Sequence, residues 1–137
     1  MNAKIPTFLQ QRVGFFVKKI KSLKSLKAEA WRLFSIWTRQ NGMDNQGFNI
    51  CYTCGKRVHW KEGNAGHYRH DAYDYDPQNI KFQCVGCNLG ESGRADNFYL
   101  HLKEEYGEIE AERLRKRKKW NDYTRTEIIA VIANFKQ

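Results

Sequence analysis

The chain has four cysteines, and they fall into two Cys-x-x-Cys pairs, Cys51/Cys54 and Cys84/Cys87, with 29 residues between the pairs. A two-residue spacer lets a tight turn present both sulfurs of a pair, and two such pairs can bring four thiolates to one tetrahedral zinc. This spacing constrains the fold before any helix is considered, because the intervening segment must double back for the knuckles to meet. A chain of 137 residues can bury one modest core and gains from a metal staple. No apolar run approaches a membrane span, and Phe15-Phe16-Val17 is too short for the core of a signal peptide. A cytoplasmic location is therefore expected, where thiols stay reduced and metal ligation is favoured over disulfides.

Charge narrows the partner. The chain carries 24 Lys+Arg against 15 Asp+Glu, a net +9, and such a field suits a polyanion, with DNA first and a membrane surface disfavoured. Six of the seven residues from 113 to 119 are basic, so Arg113, Arg115, Lys116, Arg117, Lys118 and Lys119 are the best candidates for phosphate contacts, joined by Arg69 and Arg94 near the cysteines. A solvated helix face is the plainer account of that run.

Periodicity divides the chain into three. In residues 1–49, Phe8, Leu9, Val13, Phe16, Val17 and Ile20 recur at helical steps among lysines and arginines, predicting a basic amphipathic helix from Pro6 to about Lys21. A second helix is predicted from about Leu26 to Gln40, ending at Asn41-Gly42, followed by a loop over 42–49. Residues 50–106 begin with a Gly-, Asp- and Tyr-rich stretch, Ile50 to Asn88, that has no helical period and predicts short strands and loops around zinc. One or two helices, broken near Gly107, come next. Residues 107–137 form a basic helical region, with Thr124 and Glu127 as a capping box ahead of Ile128, Ile129, Val131, Ile132 and Phe135. The class is α+β, a zinc-stapled core flanked by helices.

Chemistry is framed by the knuckles. His67 lies between them and can take a proton near neutral pH, as activation of a water for phosphodiester hydrolysis requires. With four cysteines available to zinc, the metal does not need it. The plainer alternatives are a packed histidine or an additional zinc ligand. Asn88 follows the last cysteine and offers a hard oxygen to a cation such as Mg2+, held rigidly by the knuckle, or else it is an asparagine completing a turn. His59 and His101 carry little signal.

The frame Gly66-His67, Asn79-Ile80, Asn88 resembles the HNH, or ββα-metal, endonucleases. The resemblance implies that His67 is the general base on a hairpin, that Asn79 braces the loop, and that Asn88 is the last metal ligand. The wording Cys51-x-x-Cys54-Gly55, Ala65-Gly66-His67-Tyr68, Asn79-Ile80, Gln83-Cys84-Val85-x-Cys87-Asn88, Ser92-Gly93 is similar to the NinG, or Rap, recombination proteins of lambdoid phages, over roughly Lys27 to Trp120. That likeness implies a structure-selective DNA endonuclease acting on branched recombination intermediates in the host cytoplasm. Its expected cofactors are structural Zn2+ and catalytic Mg2+ or Mn2+, and a homodimer would suit two-fold symmetric junctions. Many HNH enzymes place an acidic ligand just before the base, where this chain has Gly66. Candidates for the second ligand are His70, Asp71 and Glu91, the last of these one helical turn after Asn88. The competing expectation is a zinc-ribbon nucleic-acid-binding module without catalysis.

Overall fold

The computed structural model describes residues 20–136. The predicted helix from Pro6 to Lys21 lies outside them but for its last two positions. The first described helix, α1, spans Leu23–Gln40, three residues longer at its start than the apolar pattern predicts, because the Ser22 hydroxyl accepts the Ser25 N–H at 3.1 Å and caps the first turn. It ends as Gly42 takes a φ of +82°, and the Asn49 amide donates to the carbonyls of Arg39 and Asn41 at 3.0 and 2.9 Å, satisfying acceptors that the helix leaves open. Leu26, Ala30, Phe34 and Thr38, spaced by four, form its buried stripe.

Two small antiparallel hairpins follow. Strands β1 (Phe48–Ile50) and β2 (Arg57–His59) pair with Phe48 opposite His59, so Phe48 and Asn49 begin a strand where turn composition alone suggests loop. The first knuckle forms their connection. A 3-10 turn at Trp60–Glu62 leads into β3 (Gly63–His67), which pairs with β4 (Ile80–Cys84) in a register that sets Gly63 opposite Cys84 and His67 opposite Ile80. A single π-helical turn, Gly86–Gly90, closes the unit. The helices α2 (Ala95–Tyr106) and α3 (Glu108–Lys116) are separated by Gly107 at φ +86°, a left-handed break that glycine takes without strain. Finally α4 (Arg125–Phe135) starts at the Thr124/Glu127 capping box.

The core is divided rather than central. Phe98 and Leu102 of α2 pack on Ala111 and Leu114 of α3, with Tyr52 and Tyr68 against them. Leu26 and Ala30 of α1 meet Ile128 of α4, with Tyr75 and Tyr123 alongside. Phe34, fully buried, adds ring contacts to Trp31, Trp37, Tyr75 and Phe135. Each fully buried Leu or Phe contributes about 1.5–3 kcal/mol. The third cluster consists of cysteines. α1 therefore packs on the C-terminal helix and on the β3–β4 hairpin together. Among the described residues no helix is long and apolar enough to cross a membrane.

Candidate functional site

The sulfurs of Cys51, Cys54, Cys84 and Cys87 lie within 4.8 Å of one another. Each pair is made locally. Gly55, at φ +75°, donates its N–H to the Cys51 carbonyl at 2.9 Å, and Cys51 donates to the Lys56 carbonyl at 2.8 Å. Cys84 ends β4, and the π-helical turn supplies Cys87, whose N–H donates to the Cys84 sulfur at 3.5 Å. All four thiols are free, and the Cys54 and Cys84 sulfurs are 3.8 Å apart. That is far beyond a disulfide bond and close to the edge, about 3.8 Å, of a tetrahedron with zinc–sulfur bonds of about 2.3 Å.

Burial raises the Cys54 and Cys84 thiols, while hydrogen bonds from Thr53 and from the backbone of Cys84 and Cys54 overcome burial at Cys51 and hold it below its ordinary value. Four thiolates cannot share this space without a cation, and the all-sulfur donor set fits a structural metal such as zinc.

His67 stands at the other end of the β3–β4 hairpin. Its Nε2 is 2.9 Å from Asp74 Oδ1, and Asn121 donates to Asp74 Oδ2 at 2.8 Å. A carboxylate only accepts, so Nε2 donates to it, and Nδ1 is the ring nitrogen with no partner among the described residues. The hydrogen bond from His67 holds the Asp74 carboxyl below the usual carboxylate range against the opposing effect of burial, and Asn121 adds to it. Trp31 of α1 stacks on the imidazole with ring centres 5.2 Å apart. The cleft is bordered by Trp31, His67, His70, Asp71, Asp74 and Asn121.

Asn79 is fully buried. Its oxygen accepts the Arg69 N–H at 2.8 Å, and its NH2 donates to the carbonyls of Arg69 and Ala72 at 3.2 and 2.9 Å. It shapes the loop between His67 and β4 from the interior. Asn88, on the π-helical turn, opens on a second groove that shares the Trp31 wall. Its Oδ1 lies 3.0 Å from where a Cβ on Gly66 would sit, and the Oε1 of Gln83 lies 1.9 Å from that same point. Gln83 Oε1 is buried and has no hydrogen-bond partner among the described residues. An orphaned acceptor beside the Asn88 oxygen fits a hard cation.

The three candidates for a second ligand are dispersed. His70 and Asp71 are exposed on the rim of the His67 cleft, Asp71 at a left-handed φ of +53°. Glu91 pairs with Arg94 at 3.3 Å and lines a different groove from Asn88.

The basic residues also divide. Arg69 Nη1 donates to the carbonyls of Leu114, Arg115 and Arg117 at the end of α3. Arg94 donates towards the Cys87 sulfur at 4.0 Å. Arg113 pairs with Glu110, Arg115 and Lys116 with Glu112, and Arg117 with Asp76 while lying over the Tyr73 ring. Lys118 and Lys119 are exposed with no acidic partner among the described residues.

Sequence reasoning assigned no role to Trp31, Asp74, Asn121 or Gln83. Asp74 belongs to an acidic, tyrosine-rich run in which no spacing distinguishes it from Asp71 and Asp76. Gln83 stands in the family-like wording beside Cys84, which was its only signal.

A hairpin with a histidine at its loop end and a cysteine-bearing helical turn at its open end thus defines an α+β protein whose four cysteines could hold a structural metal. Residues 10–137 match the family described as bacteriophage lambda NinG protein, and the chain belongs to this NinG family of phage recombination proteins. No curated protein and no solved structure matches it.

Proposed function

We propose that this chain is a metal-dependent endonuclease that cuts branched DNA intermediates of phage recombination, with the ββα-metal arrangement of the HNH enzymes carried by β3, β4 and the π-helical turn. The observation that carries the proposal is the dyad of His67 and Asp74, which engages Nε2 and leaves Nδ1 for a water. His67 would take the proton of the attacking water at Nδ1, and Asp74 would stabilise the resulting imidazolium. Asn121 keeps Asp74 in place and Trp31 fixes the ring plane. Mg2+ or Mn2+ held by Asn88 would supply charge stabilisation to the scissile phosphate and the leaving oxygen, and zinc on the four cysteines would hold the scaffold. Within the basic run, Lys118 and Lys119 are the residues without an acidic partner among the described residues and would contact phosphate. Two chains acting as a homodimer would give a four-way junction its paired cuts.

The test is incubation of branched and linear duplexes with the zinc-loaded protein and Mg2+ or Mn2+. Metal-dependent cutting of the branched substrate is expected, with His67→Ala slower by roughly 10²–10⁴-fold. Equal cutting by wild type and His67→Ala would remove His67 as the base, and binding without any cutting would leave the chain a zinc-ribbon DNA-binding module.

A further inference from the structure

We infer that Gln83 is the second protein ligand of the hydrolytic cation, replacing the acid that Gly66 omits; this rests on the nuclease reading above. Gln83 lies on β4 directly before Cys84 and is fully buried. Its NH2 donates to Thr53 Oγ1 at 3.0 Å and to the Gly93 carbonyl at 2.9 Å. A carbonyl only accepts, so Gly93 fixes which end of the amide is the nitrogen, and Oε1 is turned the other way. That oxygen is the one with no partner.

That oxygen occupies the space above Gly66 where a Cβ would otherwise lie. The two amide oxygens, Gln83 Oε1 and Asn88 Oδ1, reach within 1.9 and 3.0 Å of one point. Gly66 has no left-handed φ that would call for glycine; what calls for it is the close approach of Gln83, which any Cβ would obstruct. An acidic residue at position 66 and an inward Gln83 are therefore alternatives for one volume, and both offer a hard oxygen to the same cation. The zinc knuckle braces the pair, since Gln83 precedes Cys84 and Asn88 follows Cys87. Two neutral amides hold a divalent cation less tightly than a carboxylate would, so the ion is taken up without DNA, at a higher concentration than a carboxylate site requires.

The test is titration of Mn2+ into zinc-loaded full-length protein without DNA, read by loss of the free-ion electron paramagnetic resonance signal. Wild type is expected to take up one ion. Loss of a residue that merely supports a ligand weakens metal binding by about 10–100-fold, so Gln83→Met and Asn88→Ala should each weaken it at least that much with zinc content unchanged. Gly66→Asp combined with Gln83→Ala should regain binding, because the carboxylate enters the space the glutamine leaves. Wild-type-like binding by Gln83→Met alongside loss in Asn88→Ala overturns the role of Gln83 and leaves the nuclease reading standing. No Mn2+ uptake by wild type overturns both. If Gln83→Met loses zinc, the wild type decides. Added Mg2+ should shift the side-chain carbonyl carbons of Gln83 and Asn88 together, and a shift of Asn88 alone overturns the assignment.

Discussion

The cysteine cluster and the histidine cleft occupy opposite ends of one hairpin and are assembled in opposite ways. The cluster comes from two short turns, each closed by its own local hydrogen bonds, Gly55 N–H to the Cys51 carbonyl in one and Cys87 N–H to the Cys84 sulfur in the other. The cleft draws Trp31 from α1, Asp74 from the loop before β4, and Asn121 from the segment after α3. A metal staple can be specified by spacing over a few residues, whereas a poised base depends on how distant segments pack. Damage at the first end should therefore cost the fold, and damage at the second should cost activity while sparing the fold.

The largest effect is expected from the staple. Structural zinc contributes about 10–16 kcal/mol of apparent binding free energy in small zinc domains, so a strong chelator, Cys51→Ser or Cys84→Ser should abolish the cooperative thermal transition. A Cys84→Ser protein that melts like wild type would erase the contrast between the two ends. Next comes Asp74→Asn, expected to slow cleavage by roughly 10–100-fold while zinc content stays full. Its stability signature has a definite sign. The folded Asp74 carboxyl lies below its ordinary value, so its contribution is complete above the unfolded pKa of about 3.9 and is lost as pH falls through the folded value. The stability difference between wild type and Asp74→Asn, measured by denaturant titration, should be full at neutral pH and vanish in acid.

Between the two extremes lies Asn79→Ala, which leaves three backbone groups of the loop unpaired and should cost about 1–3 kcal/mol in urea unfolding. A large loss of cleavage with no loss of stability would move Asn79 from loop brace to catalysis. The smallest effect belongs to Lys118→Ala with Lys119→Ala. Zinc content and melting should be unchanged, and the slope of log affinity against log salt should flatten by about 0.9 for each phosphate contact removed.

Much of the scaffold was legible in the sequence because its signals are local. The cysteine spacing, the stop at Gly42, the break at Gly107 and the Thr124/Glu127 box each act within a few residues. α1 starts three residues before the expected Leu26 because the Ser22 hydroxyl that caps it sits among lysines, where composition gives it no prominence. The site was legible only as a frame of His67, Asn79 and Asn88. Which aspartate of the run from Asp71 to Asp76 faces the imidazole is set by loop geometry, and Asn121 is 54 residues from His67 in sequence. Charge misleads for a related reason. Composition counts Arg113, Arg115 and Arg117 as cations available to DNA, but Glu110, Glu112 and Asp76 fold against them.

Arg69 does more than fill hydrogen bonds. Its backbone is gripped by Asn79 two residues from the base, and its guanidinium closes on the carbonyls at the end of α3, just before Lys118 and Lys119. The span from His67 to the lysines is thereby tied together by hydrogen bonds at both ends, like the fixed jaw of a gauge. If the lysines grip one stretch of DNA backbone, the phosphate presented to His67 lies at a set distance along it, so the cut position would be measured from the grip rather than read from the bases.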